Sequence, residues 1–317
     1  MEILTKKTTD IMSEEAQGIY DLFELVFKKK RNVASFYDEY CNTSKGYSYH
    51  AIAKDGEKII AHNVYVPFKY LKDNIPFYLA LSIDAMVHPD YRGKGLYGRL
   101  VEACGAAAIR DGCKMRIGFP NENSYPVQIR KFKFNDIGSL NTYCLPVNIG
   151  AIYKKLRILT PIGKLFTKII IGFSVLSKWS KQEYLYKYRK DRSDFDTHRY
   201  KWFDGDYEIV EYESIKFVYK NSDFKGQQAT FLMDVFPLSK KNFDEACRYI
   251  YRHEKTTPII LYVGNLPFFP LSMMRIPKFI EPKHFHFVGK IFDKEFIDED
   301  SLKINNWEVN LSNYDLL

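Results

Sequence analysis

Fourteen residues restrict what this chain can become more than any other stretch: Val87-His88-Pro89-Asp90-Tyr91-Arg92-Gly93-Lys94-Gly95-Leu96-Tyr97-Gly98-Arg99-Leu100. They spell a strand end, a proline-broken turn and a glycine-rich approach to a helix. The first N–H groups of a helix have no partner inside it, and the helix dipole favours an anion there. Gly93 and Gly95 accept positive φ and let the backbone come close to phosphate oxygens. Arg92 and Lys94 add fixed positive charge. The segment predicts a site for a phosphate-bearing cofactor.

Gly93-x-Gly95-x-x-Gly98 satisfies the G-x-G-x-x-G string literally, which alone is a weak signal. In a dinucleotide-binding unit the strand runs straight into the first glycine, and an acid closes the next strand about 20 residues on. Here Pro89 to Arg92 intervene, and the next predicted strand, 114–119, closes with Pro120 and Asn121. A kinase glycine loop needs a strand after it with a V-A-I-K lysine. The residues after Gly98 are instead alanine-rich, with Leu96, Leu100, Ala103 and Ala107 on one face, and they predict a helix over 94–111. The whole stretch resembles the acetyl-CoA signature of the GNAT superfamily of N-acetyltransferases, in which an Arg/Gln-x-x-Gly-x-Gly/Ala turn comes after a V-x-P strand end. Arg92, Gly95 and Leu96 occupy three of those positions, and the likeness spans roughly residues 15–145.

Composition agrees with a folded, anion-binding protein. The chain has 317 residues, enough for two domains or one large one. Its net charge of +8 suits an anionic ligand, and basicity alone does not choose among coenzyme A, a membrane surface and a nucleotide-linked substrate. Lys28-Lys29-Lys30-Arg31 reads as a solvated helix end rather than a nucleic-acid patch, so no nucleic-acid partner is expected. The five scattered cysteines form no C-x-x-C pair, so neither a metal site nor a disulfide framework is expected. Met1 to Lys7 lacks the long apolar core of a signal peptide, and a cytoplasmic location is the default expectation.

Periodicity predicts helices over 14–27, with Ser13 as N-cap, and 33–40. It predicts strands over 47–53, 58–66, 77–87 and 114–119, then a short helix at 123–132 and strands at 133–138 and 142–147. This is the order a GNAT domain shows, and the expected fold class is α+β: a mixed, mostly antiparallel sheet flanked by helices, with a second, smaller α/β half. Three segments are expected: a catalytic domain at 1–150, a helical and charged connection at 151–205, and a GNAT-like or substrate-shaping domain at 206–317. In the last, strands are predicted at 207–219, 228–235, 258–263, 285–292 and 307–310, with a helix at 240–253. No Arg/Gln-x-x-Gly-x-Gly turn occurs there, so it is assigned no cofactor. Gly264 to Pro267 and Met273 to Pro277 are read as loops bordering a substrate cleft. Ala151 to Ser177 is apolar and basic, but its longest uncharged run, Ile169 to Ser177, is short against the ~20 residues that span a bilayer. A helix packed on the domain is the default reading, an interfacial amphipathic helix the alternative. Residues 178–201 read as an exposed helix and connection.

The resemblance implies roles. Backbone groups around Met86 and Val87 hold the pantetheine and face the thioester carbonyl. Arg92, Gly93, Lys94, Gly95, Leu96 and Tyr97 take the pyrophosphate, and Asn121 or Asn123 contacts the cofactor unless it caps the short helix. Alternation places Ser82, Asp84, Met86 and His88 on one strand face, so Asp84 is a candidate general base with a structural role as the equal alternative. The family's Asn…Tyr-x-x-x-Gly-Phe pattern fails here: with Phe134 aligned, Ile129 stands at the tyrosine and Lys133 at the glycine. Tyr125 is the nearest phenol for the general acid, and protonation of the thiolate by water is the other route. The leading expectation is an acetyl-CoA-dependent N-acetyltransferase acting on the primary amine of a small or saccharide-like acceptor. A non-catalytic acyl-CoA-binding protein and a membrane-surface acyltransferase working through 151–177 are the rivals.

Overall fold

The computed structural model describes residues 1–152, 154–180, 182–192, 207–224, 227–281 and 283–313. They fall into two compact units: Met1–Gly138 with Lys187–Asp204 and His286–Asn306, and Ser139–Tyr186 with Gly205–Phe285 and Trp307–Leu317.

The first unit is built on β1 (Glu2–Lys7), α1 (Ser13–Phe27), α2 (Phe36–Cys41), β2 (Tyr49–Asp55), β3 (Lys58–Lys72), β4 (Ile75–Val87), α3 (Leu96–Arg110), β5 (Cys113–Gly118), α4 (Tyr125–Arg130) and β6 (Asn135–Ser139). Met12, not Ser13, is the N-cap of α1; the Glu15 carboxylate accepts the Met12 N–H at 3.1 Å. Strands β1 to β4 are joined antiparallel, and β4 and β5 are parallel around α3. The sheet order is β1-β2-β3-β4-β5-β14-β6, with β8 (Tyr188–Lys190) on the far end of β3 and β14 (His286–Ile291) beside β5. Helix α3 covers the sheet with Leu96, Leu100, Cys104 and Ala108 against Tyr49, Ala51, Ala61, Tyr65 and Ala80.

The second unit starts with β7 (Asn141–Pro146), α5 (Ile149–Ile152) and α6 (Thr160–Ser174) and continues with β9 (Tyr207–Tyr212), β10 (Ile215–Phe224), β11 (Gln227–Phe236), α7 (Lys240–His253), β12 (Ile259–Gly264) and β13 (Met274–Arg275). Its six-stranded sheet runs β13-β7-β12-β11-β10-β9. Antiparallel β10–β11 and then parallel β11–β12 around α7 repeat the wiring of β3-β4-α3-β5. Even the register irregularity recurs: β11 carries an extra residue opposite Val218/Tyr219, as β4 does between Ile83 and Met86.

Three expectations about organisation are corrected. Residues 142–147 do not join the first sheet, because β7 pairs with β12 and β13. Residues 285–292 do, because β14 pairs with β5 from Val288↔Gly118 to Ile291↔Met115. The units are therefore not the contiguous segments 1–150, 151–205 and 206–317. Residues 178–180 and 182–192 are no exposed helix: a 3₁₀ turn ends at Trp179, and Tyr188, Lys190 and Asp191 are buried. The remainder of that segment, 181 and 193–201, lies outside the described residues. Residues 307–310 supply isolated bridges at Trp307 and Asn310, the latter to Gly264, rather than a strand.

Candidate functional site

The glycine-rich turn has the geometry its sequence demands. Pro89–Tyr91 forms one 3₁₀ turn, Gly93 and Gly95 sit at φ of 78° and 74°, and α3 begins at Leu96. Only glycine reaches that region at little cost. A Cβ on either glycine meets no atom within 4 Å, so the requirement is one of conformation, not of crowding within the chain. The Arg99 N–H closes the first helical bond on the Gly95 carbonyl. The N–H groups of Leu96, Tyr97 and Gly98 precede that bond and face outward at the positive end of a 15-residue helix. Arg92 folds back to donate from Nε to the Val87 carbonyl at 3.3 Å, and the Lys94 ammonium lies 4.6 Å over the Tyr91 ring.

Beside this turn the sheet opens. Parallel pairing of β4 with β5 ends at Ser82↔Gly118, while β4 runs on to Val87. Five residues of β4 thus present one edge without a strand partner on the β5 side among the described residues. Within them β4 carries its extra residue: His62 pairs with Met86 but Val64 pairs with Ile83, and Asp84 takes φ of 47°. This bulge overturns the strict alternation expected of the strand. Ser82 lies on the α3 face beside Arg116, whereas Asp84 turns to the opposite face toward α2. Ala85 is exposed at the bulge although both Ile83 and Met86 are buried.

Asp84 is held, not loose. Its carboxylate accepts from Arg31 Nη1 at 2.8 Å and from the Tyr40 hydroxyl at 2.6 Å. Arg31 also pairs with buried Glu39 at 2.8 Å, and Glu39 accepts the Tyr20 hydroxyl. The basic run is therefore only partly a solvated helix end: Lys28, Lys29 and Lys30 are exposed, while Arg31 is the cation of a half-buried network.

The other face of the fork holds residues that sequence reasoning missed. Arg116 is buried and donates from Nη2 to Ser82 Oγ at 3.0 Å. Its guanidinium lies 4.0 Å over Phe134 and 4.8 Å over Tyr65, and Nε and Nη1 have no hydrogen-bond partner. No carboxylate pairs with it among the described residues. Gln128 of α4 donates to the Tyr97 hydroxyl at 3.1 Å, and its unpartnered Oε1 lies 4.0 Å from where a Cβ on Gly118 would stand. Tyr97 thus reaches from the first turn of α3 to the end of β5. Tyr125 does not: it stacks on His286 at 3.8 Å and donates to Asp136 at 2.8 Å, and burial together with that bond raises its pKa. Asn121 caps the turn before α4, its Oδ1 accepting from Asn123 and Ser124, while the Asn123 side chain is exposed.

Residues 7–132 match the acetyltransferase (GNAT) domain family. They form a GNAT domain. Three crystal structures share the fold at low identity. A probable N-acyltransferase of Enterococcus faecalis V583 is 11% identical with a TM-score of 0.56, over 92% of this chain and 73% of its own. A GCN5-related N-acetyltransferase of Anabaena variabilis ATCC 29413 is 11% identical with a TM-score of 0.55, over 91% and 73%. Another, of Kribbella flavida, is 12% identical with a TM-score of 0.56, over 92% and 71%. Among curated proteins none matches the sequence.

In the second unit the fork corresponding to that of the GNAT domain is filled by the chain itself. Asn310 Nδ2 donates to Asp234 Oδ1 at 2.9 Å, Gly264 bridges Asn310, and the Asn265 N–H donates to the Val309 carbonyl at 2.9 Å. Gly264 to Pro267 is therefore held by the chain's own tail rather than open to a substrate. At the start of α7, Ser239 Oγ accepts the Asn242 N–H where α3 leaves its N–H groups open.

Proposed function

We propose that the GNAT domain transfers an acetyl group from acetyl-CoA to a primary amine of a small or saccharide-like acceptor by direct attack. The observation that carries this reading is the strand fork: an edge of β4 with no strand beside it on the β5 side among the described residues, leading from the bulge at Asp84 to a helix N-terminus preceded by two glycines at positive φ. An extended pantetheine arm fits such an edge, and a pyrophosphate fits the N–H groups of Leu96 to Gly98. When bound, acetyl-CoA supplies the electrophilic thioester carbonyl and a thiolate leaving group. The chain supplies the rest. N–H groups at the bulge donate to the carbonyl oxygen. Arg116, positive and without a carboxylate partner among the described residues, favours negative charge on the α3 face of the fork. The aromatic content, 24 Tyr and 24 Phe, offers flat amphipathic faces for a saccharide-like acceptor.

For the proton delivered to the leaving thiolate we assign Tyr97 rather than Tyr125. Its hydroxyl accepts from Gln128, which leaves its own proton available at the fork, whereas the Tyr125 proton is committed to Asp136. Tyr97→Phe is expected to lower kcat about 10²-fold with KM for acetyl-CoA changed less than threefold, on the usual scale of general-acid catalysis. Tyr125→Phe is expected to stay within about threefold of wild type, a surface-scale effect. Steady-state kinetics on both variants decides, and equal loss in the two removes the assignment.

Asp84 we assign to positioning: its bonds to Arg31 and Tyr40 fix the bulge that aims the carbonyl-facing N–H groups. Asparagine accepts the left-handed conformation nearly as well as aspartate. Asp84→Asn is therefore expected to lower kcat without removing the acidic limb of the pH–rate profile. Disappearance of that limb makes Asp84 the base instead.

The proposed activity as a whole is tested by CoA release over a panel of amines and amino sugars, alongside thermal shift. Ligand at ~100 times its Kd stabilises by about 2.7 kcal/mol. A shift without turnover makes the protein an acyl-CoA binder; no shift with CoA or acetyl-CoA removes the proposal.

A further inference from the structure

The helix Arg157–Trp179, made of α6 and its flanking 3₁₀ turns, wears its sequence inside out. Among the described residues it is one helix long and apolar enough to cross a membrane by length and composition. Lys164 and Lys168 lie within it without interrupting it, so the apolar stretch is longer than its uncharged run suggests. The face it turns to its own unit is small and polar: Gly163, Thr167, Ser174 and Ser177 are buried. Thr167 Oγ1 donates to the Pro146 carbonyl, and Arg248 Nη1 donates to the Ser174 carbonyl at 2.6 Å. The opposite face carries Ile158, Ile162, Leu165, Ile169, Phe173 and Leu176 at helical spacing, exposed by 85, 66, 60, 47, 62 and 55%. Trp179 closes the row, 75% exposed. An apolar stripe of this size is rare on a free surface and marks an interaction site.

Charge selects the occupant. Between Asp136 and Glu183 the chain has no acid, and it has seven Lys and Arg: Lys154, Lys155, Arg157, Lys164, Lys168, Lys178 and Lys181. On the helix wheel Lys164 and Lys168 lie one turn apart along one edge of the apolar stripe, where their stems can lie along the apolar surface and their ammonium groups reach a polar boundary. A second copy meeting this face sets the exposed Lys164 and Lys168 against like charge, with no acid from the helix itself to offset them. Spanning a bilayer strips the Thr167 and Arg248 bonds from the unit and places Lys164 and Lys168 in hydrocarbon. A helix that keeps its polar face on the protein, offers an apolar stripe edged by lysines on one side and ends in tryptophan fits the plane of an anionic membrane surface. We propose that Arg157–Trp179 is an in-plane membrane anchor that docks the protein on an anionic bilayer.

The test uses the full chain with phosphatidylcholine vesicles and with vesicles containing phosphatidylglycerol. Co-sedimentation is expected at least tenfold stronger on the anionic vesicles, and weaker at high salt. The surface double variant Ile162→Glu/Phe173→Glu is expected to lose at least tenfold in partitioning, and Lys164→Gln/Lys168→Gln to lose only the anionic preference. Both variants are expected to keep the wild-type thermal midpoint and any midpoint shift with acetyl-CoA, which separates this proposal from the acyl-transfer proposal. Four results overturn it: no partitioning; unchanged partitioning in the Glu variant; concentration-dependent dimers abolished by that variant without vesicle binding; or equal binding to both vesicle types that resists alkaline extraction, the behaviour of a spanning helix.

Discussion

Gly95→Val is expected to abolish stabilisation by acetyl-CoA while leaving the fold in place. Gly95 is exposed, and its φ of 74° puts it in the left-handed region. A β-branched residue there is a steric outlier costing about 1–2 kcal/mol, which a surface turn relieves by moving to negative φ. That movement re-aims the N–H groups of Leu96, Tyr97 and Gly98, the donors proposed for the pyrophosphate. If Kd rises a hundredfold, a ligand concentration that stabilises wild type by about 2.7 kcal/mol stabilises the variant by only about 0.4 kcal/mol. Lys94→Ala is the control. Lys94 is exposed and its ammonium rests over Tyr91, so its loss removes one screened charge and is expected to weaken binding less than tenfold. Calorimetry on the three proteins settles the matter: wild-type affinity in Gly95→Val removes the turn from the site.

That turn was legible because its information is local. Two glycines at fixed spacing, a proline before them and alanines after them specify a conformation without reference to distant residues. The fork was half legible. An aspartate in an apolar strand signalled something at residue 84, but period-2 alternation assumes an unbroken ladder, and one extra residue reverses every side chain beyond it. Aspartate's tolerance of the left-handed region was the clue available. Arg31 was hidden by its neighbours, since three exposed lysines make a fourth cation look solvated and only the approach of β4 distinguishes it. Tyr97 was assigned to the phosphate turn by its place in the motif, yet its side chain reaches α4. The missing phenol at Ile129 was a reason to look for one arriving from another element. The placement of β7 and β14 depended on pairing across more than a hundred residues, which no local pattern encodes. The inverted exposure of α6 was equally invisible, because the same composition fits either orientation.

Acidification from pH 7.5 to 5 is expected to cost the first unit about 2 kcal/mol of stability through His62 alone. His50 and His62 are wholly buried on adjacent strands, His50 Nδ1 lies 2.9 Å from His62 Nε2, and His50 Nε2 lies 3.0 Å from Thr8 Oγ1. One ring must accept where the other donates, so two imidazolium ions would set N–H against N–H. Burial is the main cause that lowers both values: His62 falls to about 4, with Asp84 partly opposing, and His50 falls well below the ordinary range, pushed further by His62. In the unfolded chain both titrate near 6.5. Between the folded and unfolded values the unfolded chain holds more protons, so stability rises with pH across that interval. The contribution is complete above about pH 6.5, shrinks as pH falls, and for His62 reaches a total loss of roughly 3 kcal/mol once pH passes about 4. In the first unit Glu15 acts later: held near 2 by Lys54 and Lys6 against its own burial, it gives up its contribution only as pH falls below the ordinary carboxylate value. Glu15 is thus silent between pH 5 and 7.5, where the two imidazoles titrate on unfolding. Urea melts across that window are expected to show a falling midpoint at constant m-value, and His62→Gln is expected to be less stable at pH 7.5 but flatter with pH. An unchanged slope in that variant would place the pH dependence elsewhere.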